Sequence, residues 1–286
     1  MSVFDDFSRE MRKSEAMAGK PKLISSSDTR NEFKHLTQPV GGVFLMPRWP
    51  SGAGGGEGIR SEGSGGHMLD GFETVNPGEI ERKSFEIITE LLGKTSFPPY
   101  HEAIIKRVIH TTADFDFATG IYISEKAVPR AFEAIRSGSN VVTDTQMAAA
   151  GIRKASLAAH GGRVISYMGD ETVAAEAKER NVTRSGICME RGAADGNNKI
   201  FVVGNAPTAL IRLVELMKEG RVSPALVIGA PVGFVNVVES KEILKKSGVS
   251  CIITEGRKGG SSIAAAIVNA ILIMLEEETG APGTVK

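Results

Sequence analysis

From residue 76 onward the apolar positions follow two alternating periods. "NPGEIERKSFEIITELLG" carries Pro and acidic residues in its first turn, apolar residues at helical spacing and Gly at its end, so it predicts a helix. "PYHEAIIKRVIHTTADF" begins as a second helix and "KAVPRAFEAIRSG" forms a third. Then short continuous apolar runs take turns with longer amphipathic ones. "NVVTDT" predicts a strand and "QMAAAGIRKASLAAHG" a helix; "RVISYMG" predicts a strand and "DETVAAEAKERN" a helix. "KIFVVGN", "PALVIGAP" and "SCIITEG" are strands, followed respectively by helices in "APTALIRLVELMKEG", "VESKEILKKSG" and "SSIAAAIVNAILIMLEEE". Strands apolar at every position, separated by helices of about ten residues or more, predict an α/β fold: a doubly wound, mostly parallel sheet with helices on both faces. Periodicity does not choose between a flavodoxin-like and a dinucleotide-binding strand order.

The first quarter breaks this pattern. Residues 49–68, "WPSGAGGGEGIRSEGSGGHM", are Gly- and Ser-rich and bury too little apolar surface to offset the entropy of ordering them. Residues 1–67 are therefore read as a flexible leader, tag or linker, with the folded domain spanning 68–286. The whole chain has 286 residues, 41% of them hydrophobic, enough for a large core. Its 34 basic side chains balance 34 acidic ones, so no electrostatic footprint for nucleic acid is present. The longest apolar stretch, "SSIAAAIVNAILIML", is interrupted by Asn269 and falls short of the roughly 20 residues a bilayer span needs; a buried helix is expected instead. Two cysteines, Cys188 and Cys251, lie far apart with no CxxC spacing, which disfavours a disulfide framework or zinc site. A cytoplasmic enzyme is the expectation.

Three strand-to-helix turns share one design: "VVGNAPTA", "VIGAPVGFVNVVESK" and "ITEGRKGGSS". Each places Gly where the strand stops and then opens a helix, whose first amides have no internal acceptor and favour an anion. Gly204, Asn205, Ala206, Thr208, Gly233, Gly259, Gly260, Ser261 and Ser262 are thus candidate ligand contacts, with Arg257 and Lys258 adding positive charge. Neither a GxGxxG fingerprint nor phosphate-loop spacing is present, so a nucleotide or nicotinamide site is disfavoured. In "NVTRSG", Arg184 stands between the hydroxyls of Thr183 and Ser185 and offers a planar fork suited to a carboxylate. Asp144 falls at the end of a predicted strand, where it serves either a ligand or a helix cap. Cys188 reads as a small buried apolar residue.

Of five histidines, His110 closes an apolar helical run, "RVIHTT". No pair has metal-ligand spacing, so no metal site is expected. Imidazole titrates near neutrality and suits proton transfer. Spacing alone leaves that role open beside a satisfied core histidine.

The stretches "RKSFEII", "RVIHTT", "NVVTDTQMAAAGI", "TRSG", "GNAPTAL", "PALVIGAPVGFVNVVESK" and "GRKGGSSIAAAIVNA", in this order, resemble the precorrin-8X methylmutase (precorrin isomerase) family of cobalamin biosynthesis. The resemblance covers nearly all of residues 68–286 and none of the first 67. It implies a flavodoxin-like fold, a homodimer with the active site near the subunit interface, and no cofactor. It implies an intramolecular methyl shift from ring carbon 11 to carbon 12 of precorrin-8 or its cobalt form, giving hydrogenobyrinate or cobyrinate. His110 falls on the family's catalytic histidine. The acetate and propionate arms of such a substrate match the amide-rich turns and Arg184, with Arg82, Ser84, Asp144, Ser185, Thr208 and Ser261 as further partners. "ADFDF" after His110 departs from the family pattern, and Asp114 and Asp116 inherit no role from it. The alternative is a non-catalytic corrinoid- or tetrapyrrole-binding protein, which would need the loops but not His110.

Overall fold

The computed structural model describes residues 77–98 and 100–279; the expected boundary near residue 68 and the leader expected over 1–67 lie outside them. The chain starts with two helices, α1 (Pro77–Leu92) and α2 (His101–Thr112), a 3-10 turn (Phe115–Ala118) and an edge strand β1 (Ile121–Ile123). There follow α3 (Ala127–Arg136), β2 (Asn140–Thr143), α4 (Gln146–Gly151), α5 (Lys154–Ala158), β3 (Val164–Ile165), α6 (Glu171–Glu179) and α7 (Arg184–Ala194). The remainder is β4 (Asn198–Val203), α8 (Pro207–Lys218), β5 (Leu226–Gly229), α9 (Val237–Lys245), β6 (Cys251–Thr254) and α10 (Ser261–Thr279).

The six strands form one sheet in the order β1-β6-β5-β4-β2-β3. All pairings are parallel except β1 with β6. Counting the parallel strands alone gives 2-1-3-4-5, the flavodoxin-like order that periodicity left open. The antiparallel β1 carries no signal in sequence because it is three residues long and two of them are half-buried.

Side chains alternate across the sheet as a period of two requires. Ile200 and Val202 of β4 join the core layer under α1–α5 and α10, while Phe201 and Val203 join the layer under α6–α9. Two departures from the predicted elements have physical causes. The expected single helix over 146–161 is split, because Ile152 is extended (φ −79°, ψ 139°). Asn269 of α10 repairs the break: its side-chain amide donates to Gly151 O (2.9 Å) and its carbonyl accepts from Arg153 N (2.9 Å). That explains a polar residue inside the apolar C-terminal run. Helix α7 hides in a Gly-bearing sequence because Gly192 lies against the sheet, where a Cβ would meet Val142 at 2.9 Å and Phe201 at 3.1 Å. Among the described residues, no helix is long and apolar enough to cross a membrane.

The strand order reverses between β2 and β4, and there Asp144 leaves β2 fully buried. Its carboxylate accepts from Gly204 N (2.8 Å), Asn205 N (2.9 Å) and Ala206 N (2.8 Å) in the turn after β4. Burial raises this carboxyl above its ordinary value, and the three amides work against that shift. Removing the side chain leaves three amides without their acceptor, one of them, that of Gly204, fully buried, and a buried orphaned donor costs about 1–3 kcal/mol. Asp144→Ala is expected to lower unfolding free energy by about 3–5 kcal/mol, read as a fall in the urea midpoint at unchanged slope.

Candidate active site

Ligands of such sheets bind beyond the carboxyl ends of the parallel strands. His110, in the last turn of α2, is brought to that edge by the way α2 lies along α10. Tyr100 Oη at the start of α2 bonds Glu278 near the end of α10 (2.7 Å). At the other end Lys258, just before α10, bonds both Asp114 and Asp116 just after α2 (2.6 Å each). The two helices are therefore antiparallel, and His110 stands where α10 begins, beside the strand ends. Its ring is exposed, not sealed in the core, and stacks on Phe85 of α1 with centroids 5.1 Å apart and planes 20° apart.

Phe85 is gripped from a second direction by Arg107, whose guanidinium carbon lies 4.7 Å from the ring centroid and which also pairs with Glu81. Arg107 is one helical turn before His110 and was not among the residues expected here. The i, i+3 spacing in "RVIH" is the signal that could have found it. Ser84 lies beside Phe85, its hydroxyl donating to Ile80 O (2.8 Å). Arg82, one helical turn before Phe85, lines the same surface hollow as Phe85 and Lys106. It pairs with Glu79 and Glu86 along the exposed side of its own helix.

The turn after β4 differs from its expected role. Its amides at Gly204, Asn205 and Ala206 already hold the protein's own Asp144, so the anion that this turn binds is internal. Gly204 has a packing reason as well: a Cβ there would lie 2.7 Å from Ser261 Cα. Beside it, two helix starts are joined by hydroxyls. Ser185 Oγ lies 2.9 Å from Thr208 Oγ1, and Thr183, the N-cap of α7, donates to Thr208 at 3.0 Å. Ser185 is buried in that cluster, and Ser261 is likewise engaged with Thr145 (2.8 Å). Thr145 was not singled out in sequence, and Thr183 only as a hydroxyl beside Arg184; both are N-caps, as Ser/Thr before a helix would suggest.

What remains open to a ligand is narrower than the sequence suggested, with fewer free cations. Arg184 and Arg257 are exposed and make no ion pair with any described residue. Lys258 is spent on Asp114 and Asp116. The turn after β5 carries Gly233 with φ +138° and presents Val232, Phe234 and Val235 outward, Phe234 being 86% exposed. The turn after β6 carries Gly259 and Gly260, and its amides at Arg257, Lys258 and Gly259 meet no acceptor among the described residues. His110 comes from the helix layer on one face of the sheet, Arg184 from the layer on the other. Cys188 and Cys251 are buried, and burial pushes both thiols up to about 11, which leaves them unsuited to nucleophilic work.

Comparison with known proteins gives this edge its context. The family model for CbiC, precorrin-8X methylmutase, matches residues 79–274. The cobalt-precorrin-8 methylmutase of Priestia megaterium is 45% identical over 213 residues, covering 74% of this chain and 95% of its own. The precorrin-8X methylmutase of Pseudomonas aeruginosa is 37% identical over 194 residues, covering 67% and 93%. The crystal structure of a precorrin-8x methyl mutase from Thermus thermophilus superposes with a TM-score of 0.63 at 36% identity, covering 70% of this chain and 98% of that one. The chain belongs to the precorrin-8X methylmutase family.

Proposed function

We propose that this chain is an isomerase of cobalamin biosynthesis that moves a methyl group from ring carbon 11 to ring carbon 12 of precorrin-8 or its cobalt form. The observation that carries the reading is the exposed imidazole of His110 at the sheet edge where two unpaired arginines and a row of open amides gather. The bond from carbon 11 breaks and the bond to carbon 12 forms within one molecule. Atoms and electrons balance inside the substrate, and no nucleophile or redox partner enters. Cobalt, where present, belongs to the substrate.

The protein's task is to hold a flat, many-armed macrocycle in one pucker and to make its conjugated system electron-poor as the methyl moves. His110 donates a proton, or a hydrogen bond, to a ring nitrogen. Phe85 fixes the imidazole plane by stacking. Arg184, from the helix start on one face, and Arg257, from the β6–α10 turn, take carboxylate arms, while Arg107 holds the Phe85 ring that stacks on His110. Asp144, Gly204, Asn205 and Ala206 act through the shape of the edge and not through contact with the arms. The exposed Phe234 and Val235 supply an apolar surface at the same edge, which supports a homodimer whose interface borders the site. Two reduced, buried cysteines suit a cytoplasmic enzyme.

Three outcomes follow. Absorbance spectra of the purified protein with metal-free and cobalt-containing precorrin-8 should change for at least one of them; His110→Ala should bind that substrate and lose about 10²–10⁴ in kcat. Spectra unchanged for both substrates would refute the reading. Arg184→Ala should raise KM about tenfold and leave kcat within about twofold, the signature of a lost arm contact made in ground and transition state alike. Sedimentation equilibrium at micromolar concentration should give a dimer, and a monomer there would remove the interface from the proposal.

A further inference from the structure

Lys241 is the buried cation that the reading above does not use. It sits on α9, 2% exposed, and its ammonium donates to Gly256 O and Lys258 O, both at 2.9 Å, in the turn between β6 and α10. Thr254 Oγ1 also donates to Lys258 O (2.9 Å), and Gly233 N to Arg257 O (3.3 Å). Three successive carbonyls of this turn are thus drawn toward the protein. The amides of Gly256, Arg257, Lys258 and Gly259 have no acceptor among the described residues, nor do those of Ser261 and Ser262 at the start of α10. Gly259 lets the turn lie flat on its neighbour: a Cβ there would come within 2.3 Å of Ala230 O and 2.5 Å of Pro231 O. Gly260 N donates to Ala230 O (2.8 Å) and fastens the same contact.

We infer that Lys241 is a positioning residue for the substrate: by holding the carbonyls of Gly256 and Lys258 inward it turns the amides of the β6–α10 turn outward as a carboxylate cradle, and its charge lies beneath that cradle. Successive amides aimed to one side make an anion-binding concavity, and a cation behind the turn deepens its field. The inference rests on the proposed function, since it assigns one arm of that substrate to this turn.

The charge of Lys241 is titratable. The ionisable groups on the elements packed around it are Glu239, Glu242 and Lys245 of its own helix, Glu255, Arg257 and Lys258 of the turn, Cys251 of β6, Tyr122 of β1, and Arg212, Glu215 and Lys218 of α8. Glu255 is paired with Lys245, whose amine also sits over the Tyr122 ring; Lys258 is paired with Asp114 and Asp116, and Arg212 with Glu215. None of them shifts Lys241. Burial lowers its amine to about 8. Above that pH the neutral amine keeps enough N–H bonds for both carbonyls but loses the field.

The test compares wild type, Lys241→Met and His110→Ala as full chains, reading KM and kcat for the isomerisation and, by absorbance titration, Kd for hydrogenobyrinate. Lys241→Met should raise KM and Kd about tenfold with kcat within about threefold, the reverse of the His110→Ala split. Wild-type Kd should rise about three- to tenfold between pH 7 and 9.5, while the Lys241→Met Kd stays flat. A folded Lys241→Met protein whose KM, Kd and pH slope match wild type overturns the inference. So does a loss of stability and kcat with Kd untouched. Should Lys241→Met fail to fold, a flat wild-type Kd over the same pH range overturns it on its own. Binding without turnover in wild type would refute the isomerase reading and leave this one to be judged from Kd; absence of binding refutes both.

Discussion

The buried carboxylate of Asp144, met by three amides of the neighbouring turn, is the constraint on which the rest of this molecule leans. A charge withdrawn from water is costly unless hydrogen bonds replace its hydration, and the first amides of a helix are costly unless something accepts from them. Each need answers the other at the point where the strand order turns around. The bond sets the turn after β4, and with it the start of α8, the Thr208–Ser185–Thr183 hydroxyls and the start of α7. It also consumes the turn's capacity for anions, so a ligand must find its contacts on either side.

Those contacts come from both helix layers. The layer holding α2 and α10 contributes His110 and the open turn before Ser261; the layer holding α7 and α9 contributes Arg184 and the support of Lys241. A broad planar ligand laid across the strand ends touches both, whereas a small one would reach only one. The apolar loop at Val232–Val235 belongs to the same edge, which mixes cation, amide and hydrocarbon in a way that a macrocycle with acidic arms matches and a nucleotide does not.

Much of this was legible in the chain. Continuous apolar strands between amphipathic helices gave the layered sheet, since burial on both faces leaves no other pattern, and the family motifs drew attention to His110, which the structure leaves exposed at the sheet edge. Other features were not legible because they depend on partners distant in sequence. The split between α4 and α5 is stabilised by Asn269, more than a hundred residues away. Helix α7 reads as glycine-weakened until its fit to Val142 and Phe201 is known. Asp144 could be read either as a ligand contact or as a helix cap; only its bonds to the β4 turn show it turned inward onto the amides that lead into α8. Lys241, in "VVESK", carried no signal at all, for nothing in its neighbours announces burial.

The final described helix, α10, has consequences for how the protein comes into being. Its apolar residues between Ile263 and Leu275 are buried except for the half-buried Ile273, and they pack in the core layer that α2 also joins. During synthesis every strand of the sheet emerges before it does. Until it arrives, the part of that layer which α10 shares with α1–α5 stays open to water and to other nascent chains, and chaperone capture or misassociation competes with closure over that interval. A message truncated ahead of α10 would therefore yield insoluble material and not a weakened enzyme.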